Sequence, residues 1–150
     1  MELTSPDFAE GQPIPRDCSC DGSDRSPGLA WSDVPMGTAG FALICEDPDA
    51  PSGTWDHWVY YDLPADARGL PAGVPPVEKP KGGGTQGKND FKKIGYGGPC
   101  PPGGTHRYFF RLYALGGTLD LDPGASSSQL KRAQQDHVLA EAQLMGTYRR

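Results

Sequence analysis

The stretch Gly-Phe-Ala-Leu-Ile-Cys-Glu-Asp-Pro-Asp-Ala-Pro, residues 40–51, combines an apolar run with a cluster of acidic residues and prolines. Residues 40–45 are continuously apolar and bounded by turn residues, which predicts a buried β-strand. The run ends in Asp47 and Asp49, and the prolines among them fix φ and hold side chains at set angles. We therefore predict a strand whose end carries a rigid, acidic loop.

Further strands are predicted on both sides of this one. Residues 58–63, ended by Pro64, and residues 108–115, ended by two glycines, are rich in aromatic and branched side chains. A shorter extended piece is predicted around residues 29–31. Strands dominate and no alternation of strands with helices appears, so the chain is predicted to be mainly β. We expect a single domain over residues 1–150, an antiparallel β-sandwich with peripheral helices.

One helix is predicted near the C-terminus. Ser126 and Gln129 have the spacing of a capping box, and Gly146 is a natural stop. Several apolar residues fall on one face at helical spacing. They are Leu130, Ala133, His137, Ala140, Leu144 and Met145. The pattern therefore predicts a helix that runs from Ser126 to about Gly146.

Composition excludes several classes of function. The formal net charge is −5, and no segment concentrates Lys and Arg with aromatic residues as a nucleic-acid surface would. No apolar stretch approaches the ~20 residues of a membrane span. Residues 1–6 show neither a basic segment nor an apolar core of a signal peptide, so a cytoplasmic location is expected. We predict no nucleic-acid partner and no stable membrane insertion.

The four cysteines do not have the spacing of a zinc site. Cys18 and Cys20 form a single C-x-C pair without a second close pair, and Cys45 lies in the apolar run. Cys18 and Cys20 lie in a loop and could oxidise, but free thiols are the default expectation for a cytoplasmic protein.

A second loop matches the acidic one in character. Residues 95–108 are rich in Gly and Pro and end in His106 and Tyr108. An imidazole held by a carboxylate is a good donor to an anion, and the N–H groups of Gly97 and Gly98 could approach an anion closely. Taken singly, the two aspartates could instead form a turn that caps the end of the strand, and each histidine could have a structural role rather than bind an anion.

Two motifs carry a family resemblance, DPDAPSGTWDHW at residues 47–58 and GYGGPCPPGGTHRYFFRLYAL at residues 95–115. They resemble the phosphatidylethanolamine-binding protein family, in its bacterial and archaeal Raf-kinase-inhibitor-like branch. The resemblance implies a β-sandwich with a small anion pocket, a cis bond before Pro51 and a homodimer. The number of large aromatic residues also favours a homodimer, because some of them are expected to face a partner chain. The positions that match the family's pocket are Asp47, Asp49, His57, Pro99, His106 and Tyr108.

The sequence departs from the animal members of that family in one important place. Only Ser52–Asp56 separates the acidic motif from His57, where those members have a longer stretch with an aromatic pocket residue. Trp55 could form the pocket wall instead. Lipid selectivity and kinase binding therefore do not transfer safely.

Four functions remain open at this point. The preferred one is a binding protein for a small anionic or phosphorylated ligand, without cofactor, metal or catalysis. The alternative is a hydrolase that uses the Asp/His cluster, with Cys100 near His106 as its only nucleophile candidate. The third function is the modulation of a partner kinase or protease, a role that some members of the resembled family have. A metal site built from Asp47, Asp49, His57 and His106 is the least favoured.

Overall fold

The computed structural model describes all residues 1–150 and contains two antiparallel sheets. The strands are β1 (Glu2–Thr4), β2 (Leu29–Ser32), β3 (Gly40–Asp47), β4 (Trp55–Pro64), β5 (Gly69–Leu70), β6 (Thr85–Gln86), β7 (Thr105–Leu115) and β8 (Val138–Arg149). A 3-10 turn (Arg16–Cys18) precedes β2, and one α-helix, α1 (Ser127–Gln134), precedes β8. The five-stranded sheet has the order β6-β4-β3-β7-β8, and the smaller sheet has the order β1-β2-β5. The predicted antiparallel β-sandwich is confirmed.

Strand β3 lies at the centre of the larger sheet and is buried on both faces. Phe41, Leu43 and Cys45 belong to a core cluster of 20 residues that also includes residues of the smaller sheet. Ala42 and Ile44 belong to a second cluster of eight residues that includes Leu130 of α1. Successive side chains of a strand point to opposite faces, so a strand covered on both faces must be apolar at every position. This explains the continuous apolar run.

The helix prediction is right at its start and wrong at its end. The capping box is present: Gln129 N–H donates to Ser126 Oγ (3.2 Å), and Ser126 N–H donates to Gln129 Oε1 (2.9 Å). Helix α1 nevertheless ends at Gln134, and residues 138–149 form β8.

The C-terminal segment is a strand because it pairs with β7 along its whole length. Ala142 and Leu144 are buried while Glu141 and Gln143 are exposed, which is the period of a strand. Ala140 and Leu144, which are four residues apart, share a face in either structure. The long-range pairing therefore overrides the local helical pattern.

The expectation of free thiols is wrong for two of the four cysteines. Cys20 and Cys100 form a disulfide that joins the loop after the 3-10 turn to the loop before β7. Cys18 and Cys45 are free and buried. Burial raises the pKa of Cys18 to about 11 and raises the pKa of Cys45 as well, so both thiols remain protonated and unreactive.

The predicted cis bond before Pro51 is also wrong, since the chain has no cis peptide bond. The chain reverses instead through a turn in which Gly53 N–H donates to Ala50 C=O (3.1 Å), with Gly53 at a φ of 112°. Helix α1, at eight residues, is not long and apolar enough to cross a membrane.

Candidate functional site

The topology brings three strand ends together at one edge of the larger sheet. Strand β3 is antiparallel to both β4 and β7, so its last residue lies beside the first residues of its two neighbours. Asp47, at the end of β3, is paired with Trp55 of β4. Tyr108 and His106 lie at the start of β7. Residues separated by about 60 positions in the sequence therefore meet.

His57 occupies an irregular position in β4. Cys45 is paired with Trp58 and Glu46 with Asp56, so His57 is the extra residue of a β-bulge. A bulge bends the strand and changes the direction of a side chain, and bulges are frequent beside functional sites. The bulge explains how His57 comes to line the same cavity as His106.

Asp47 and His106 form a buried pair. His106 Nδ1 lies 2.7 Å from Asp47 Oδ2, and the two side chains are only 9% and 4% exposed. A carboxylate accepts, so Nδ1 carries the proton and Nε2 is left without a protein partner. The second carboxylate oxygen, Oδ1, accepts from Asp49 N–H (2.7 Å). Asp47 thus orients the imidazole and also caps the turn that follows β3.

His57 is held by a backbone carbonyl instead of a carboxylate. Its Nδ1 lies 2.6 Å from Gly97 O, and a carbonyl can only accept, so Nδ1 again carries the proton. Burial lowers the pKa of His57 below its ordinary value of 6.5, although the Gly97 contact opposes this shift. The ring packs edge-on against Tyr108 and Phe91, at centroid distances of 5.1 and 5.4 Å. His57 is therefore neutral at neutral pH.

The two imidazoles line a cavity of about 230 Å³. Its walls are mostly apolar, and its carboxylate, imidazole, indole and phenol groups come from the ends of β3, β4 and β7. The lining residues are Asp47, Ala50, Pro51, Ser52, Trp55, His57, Phe91, Cys100, Pro101, Pro102, His106 and Tyr108. A concave apolar site with a few converging polar groups is typical of a small-ligand pocket.

Two lining residues carry buried donors without a partner. The Tyr108 hydroxyl and Trp55 Nε1 are both buried, and neither has a protein acceptor in good hydrogen-bond geometry, although the Asp47 carboxylate lies close to the Tyr108 hydroxyl. Burial, and then the negative charge of Asp47, raises the pKa of Tyr108, so its hydroxyl keeps its proton. Buried polar groups are nearly always satisfied, and unsatisfied ones that gather in one cavity indicate a ligand or bound water there.

Asp49 is predicted as a pocket residue but does not line the cavity. Its carboxylate accepts from Arg107 Nε and Nη2, at 2.9 and 2.8 Å. These hydrogen bonds lower the pKa of Asp49 to about 2. Strand β3 ends at Asp47, so the alternation that would have placed both carboxylates on one side stops there. Asp49 instead joins the turn to β7.

Gly97, Gly98 and Pro99 do not line the cavity either. Gly97 N–H donates to His57 O (2.9 Å), and Gly98 N–H donates to Asp24 Oδ1 (2.8 Å). The expectation that these N–H groups face an anion is therefore wrong. A Cβ on Gly98 would lie 2.2 Å from Cys18 O, so glycine is needed for close packing of two loops.

Other pocket residues were not identified from sequence. Phe91 comes from the long irregular loop between β6 and β7, where Asn89 Oδ1 accepts from its N–H (2.9 Å). Its ring packs edge-on against Trp55 at 5.5 Å. Pro101 and Pro102 follow the disulfide at Cys100. The length of the irregular loop was the only signal for Phe91. The suggestion that Trp55 forms part of the wall is confirmed.

Comparison with known proteins agrees with this architecture. A family profile described as phosphatidylethanolamine-binding protein matches residues 4–149. Two similar chains are each called UPF0098 protein. The one from Methanothermobacter thermautotrophicus is 50% identical, and the match covers 100% of this chain and 99% of that one. The one from Aquifex aeolicus is 48% identical, with 100% and 89% covered.

Two solved structures have the same fold. A phosphatidylethanolamine-binding protein homolog from Chlamydia trachomatis, CT736, is 41% identical and superposes with a TM-score of 0.91 over 99% of this chain and 97% of that one. YBCL of E. coli, described as a member of the mammalian PEBP family, is 32% identical, with a TM-score of 0.90 and coverage of 99% and 98%.

Proposed function

The chain belongs to the phosphatidylethanolamine-binding protein family, and on that premise we propose that its pocket binds a small anionic group, a phosphate or a carboxylate. The anion could be a free ion or the head of a larger molecule. The cavity of about 230 Å³ has room for such a group and for a short attached chain, but not for a large ligand.

The observation that carries the proposal is the pair of unpartnered donors. Tyr108 O–H and Trp55 Nε1–H are buried in the pocket wall without an acceptor. A buried donor without an acceptor costs about 1–3 kcal/mol, and a ligand oxygen would recover this. Both groups are used here as donors, because indole nitrogen has no acceptor capacity and the hydroxyl keeps its proton. A ligand rich in acceptor oxygens is therefore favoured.

The histidines add donors when they are protonated. In His57 and His106 the Nδ1 proton is already donated, so Nε2 is the nitrogen available to a ligand. Protonation turns Nε2 from an acceptor into a donor. Anion binding and proton uptake are therefore coupled.

The hydrolase alternative receives no support. Cys100, its only nucleophile candidate, is held in the disulfide with Cys20 and cannot act as a thiolate. That the protein is not an enzyme stays a prediction. The cytoplasmic location, the homodimer and the modulation of a partner kinase or protease also stay predictions.

Phosphate binding should depend on the Tyr108 hydroxyl. We expect inorganic phosphate to shift the amide signals of Asp47, His57 and His106 in NMR titrations, and Tyr108→Phe to weaken its affinity about tenfold through loss of one donor. Tyr113→Phe is the matched control, because Tyr113 lies on the same strand but outside the pocket. Equal affinities of the two variants, or no shifts at all, would refute the proposal.

Affinity for an anion should rise as the pH falls. Sulfate is the better probe, because its charge stays constant in this range. Burial lowers the pKa of His57 below its ordinary value of 6.5, so its ring is neutral near pH 7 and takes up a proton only in acid. Calorimetric titration with sulfate at about pH 8 and about pH 5.5 should show tighter binding at the lower pH. A flat profile would contradict the coupling.

A further inference from the structure

Strand β8 is the edge strand of the larger sheet, and only half of its outer edge is covered. It pairs with β7 over residues 138–149 and has no strand on its other side. In an antiparallel strand, the N–H and C=O of alternate residues point to the same neighbour. The covered half of β8 shows which residues point outward.

The outward residues are the odd-numbered ones. Gly11 N–H donates to Met145 O and Ile14 N–H donates to Thr147 O, both at 2.7 Å, while Thr147 N–H donates to Gln12 O at 3.0 Å. The N-terminal segment thus binds the outer edge of the second half of β8. The even-numbered residues direct their backbone groups toward β7.

By the same alternation, the backbone groups of Glu141 and Gln143 point outward. No protein group binds their N–H or C=O, and both residues are exposed. The pairing with β7 shifts between Ala114 and Leu115, which makes Leu139 the extra residue of a bulge and ends the regular edge there. The open edge therefore offers four backbone groups with the spacing that an added strand would need.

A groove of about 590 Å³ runs along this open edge. Residues 141–144 form one wall and residues 1–5 form the other, which includes β1. Strand β1 pairs with β2 on one side only, so it is an edge of the smaller sheet. The groove therefore lies between the open edges of both sheets, and the largely buried side chains of Phe8 and Leu144 form its floor.

The charge of the groove selects its partner. Three acidic side chains line it, those of Glu2, Glu10 and Glu141, whereas the one cationic group of the lining residues is the α-ammonium of Met1, so the groove stays negative. Glu10 already accepts from Met145 N–H (2.8 Å), so Glu2 and Glu141 remain for a partner. A second copy of this chain, paired symmetrically through β8 about Ala142, would set Glu141 opposite Gln143 of the copy and would bring two acidic edges together with no basic side chain between them, which is unfavourable. A cationic partner is favoured instead.

We propose that this groove binds an extended basic peptide segment of another protein, which pairs as an added strand with Glu141 and Gln143. Main-chain hydrogen bonds provide the affinity in such strand addition, and the acidic side chains select for Lys or Arg at alternate positions. The surface is separate from the anion pocket, because the two share no lining residue.

The first test uses a ten-residue peptide of alternating Lys and Val, with alternating Glu and Val as the comparison peptide. We expect the basic peptide to bind and to slow amide hydrogen exchange at Glu141 and Gln143. A basic peptide whose backbone is N-methylated on the pairing side should bind about tenfold more weakly, because it lacks the donors. Unchanged exchange at both amides under saturating peptide would overturn the proposal.

Two variants separate the backbone and charge contributions. Gln143→Pro removes an outward N–H without removing a backbone hydrogen bond to β7, so it should weaken peptide binding about tenfold while the sheet is retained. It also loses the hydrogen bond that Arg111 Nη1 of β7 donates to Gln143 Oε1, so Gln143→Ala is its matched control. Glu141→Lys should weaken the basic peptide about tenfold, whereas Asp66→Lys, with the same charge change outside the groove, should not. If Gln143→Pro does not fold, the wild-type exchange measurement decides. Protection of both amides by dimerisation without peptide would overturn the proposal in favour of a second copy.

Discussion

Replacing Cys20 and Cys100 together by serine is expected to lower the free energy of unfolding by about 4 kcal/mol. The disulfide closes a loop across a separation of 80 residues, and the chain-entropy model assigns a stabilisation of that size to such a loop. The bond also holds Cys100, Pro101 and Pro102 in the pocket wall. The double variant should therefore bind phosphate more weakly as well.

Chemical denaturation of the oxidised wild type and the double variant measures this difference. A thiol reductant should destabilise the wild type by a similar amount and leave the double variant unchanged, which makes the variant its own control. Cys18 and Cys45 are free in both proteins, so they cannot account for a difference. Equal midpoints of wild type and double variant would contradict the expectation.

Replacing Asp47 by alanine should cost about 3–5 kcal/mol of stability. The change leaves His106 Nδ1 buried without its partner and removes the acceptor of Asp49 N–H. Removal of one member of a buried, hydrogen-bonded pair has costs of this size. The same variant should also lose phosphate affinity, because His106 is then no longer oriented.

Asp49→Ala is the matched control for Asp47→Ala. Asp49 pairs with Arg107, but those side chains are 29% and 52% exposed, and exposed pairs contribute less than about 1 kcal/mol. Thermal and urea unfolding of the two variants should therefore separate them clearly. Similar losses of stability for both would show that burial does not distinguish the two aspartates.

The sequence alone was sufficient where the signal is local. The apolar run of residues 40–45 predicts β3 because a central strand has no solvent-facing side, and Ser126 with Gln129 predicts the start of α1 because a capping box involves only neighbouring residues. The pairing of Asp47 with His57, His106 and Tyr108 as one site required the family resemblance in addition, because these residues lie on three strands.

The limits of the sequence are seen in residues 138–149. Ala140 and Leu144 satisfy a helical and an extended period equally, and only the hydrogen bonds to β7 select the strand. The Cys20–Cys100 bond is a similar case. It links positions 80 residues apart, so no local pattern can indicate which thiols meet.

Asp47 and Asp49 show most directly what the sequence determines and what only the tertiary structure decides. They are the same residue type, two positions apart in one motif, and the sequence determines that both follow a buried strand. Only tertiary structure decides that β3 ends at Asp47, so that one carboxylate is buried against His106 and the other reaches Arg107 at the surface. The physical reason is that burial and charge pairing depend on neighbours which folding brings from β7, and a local pattern contains no information about them.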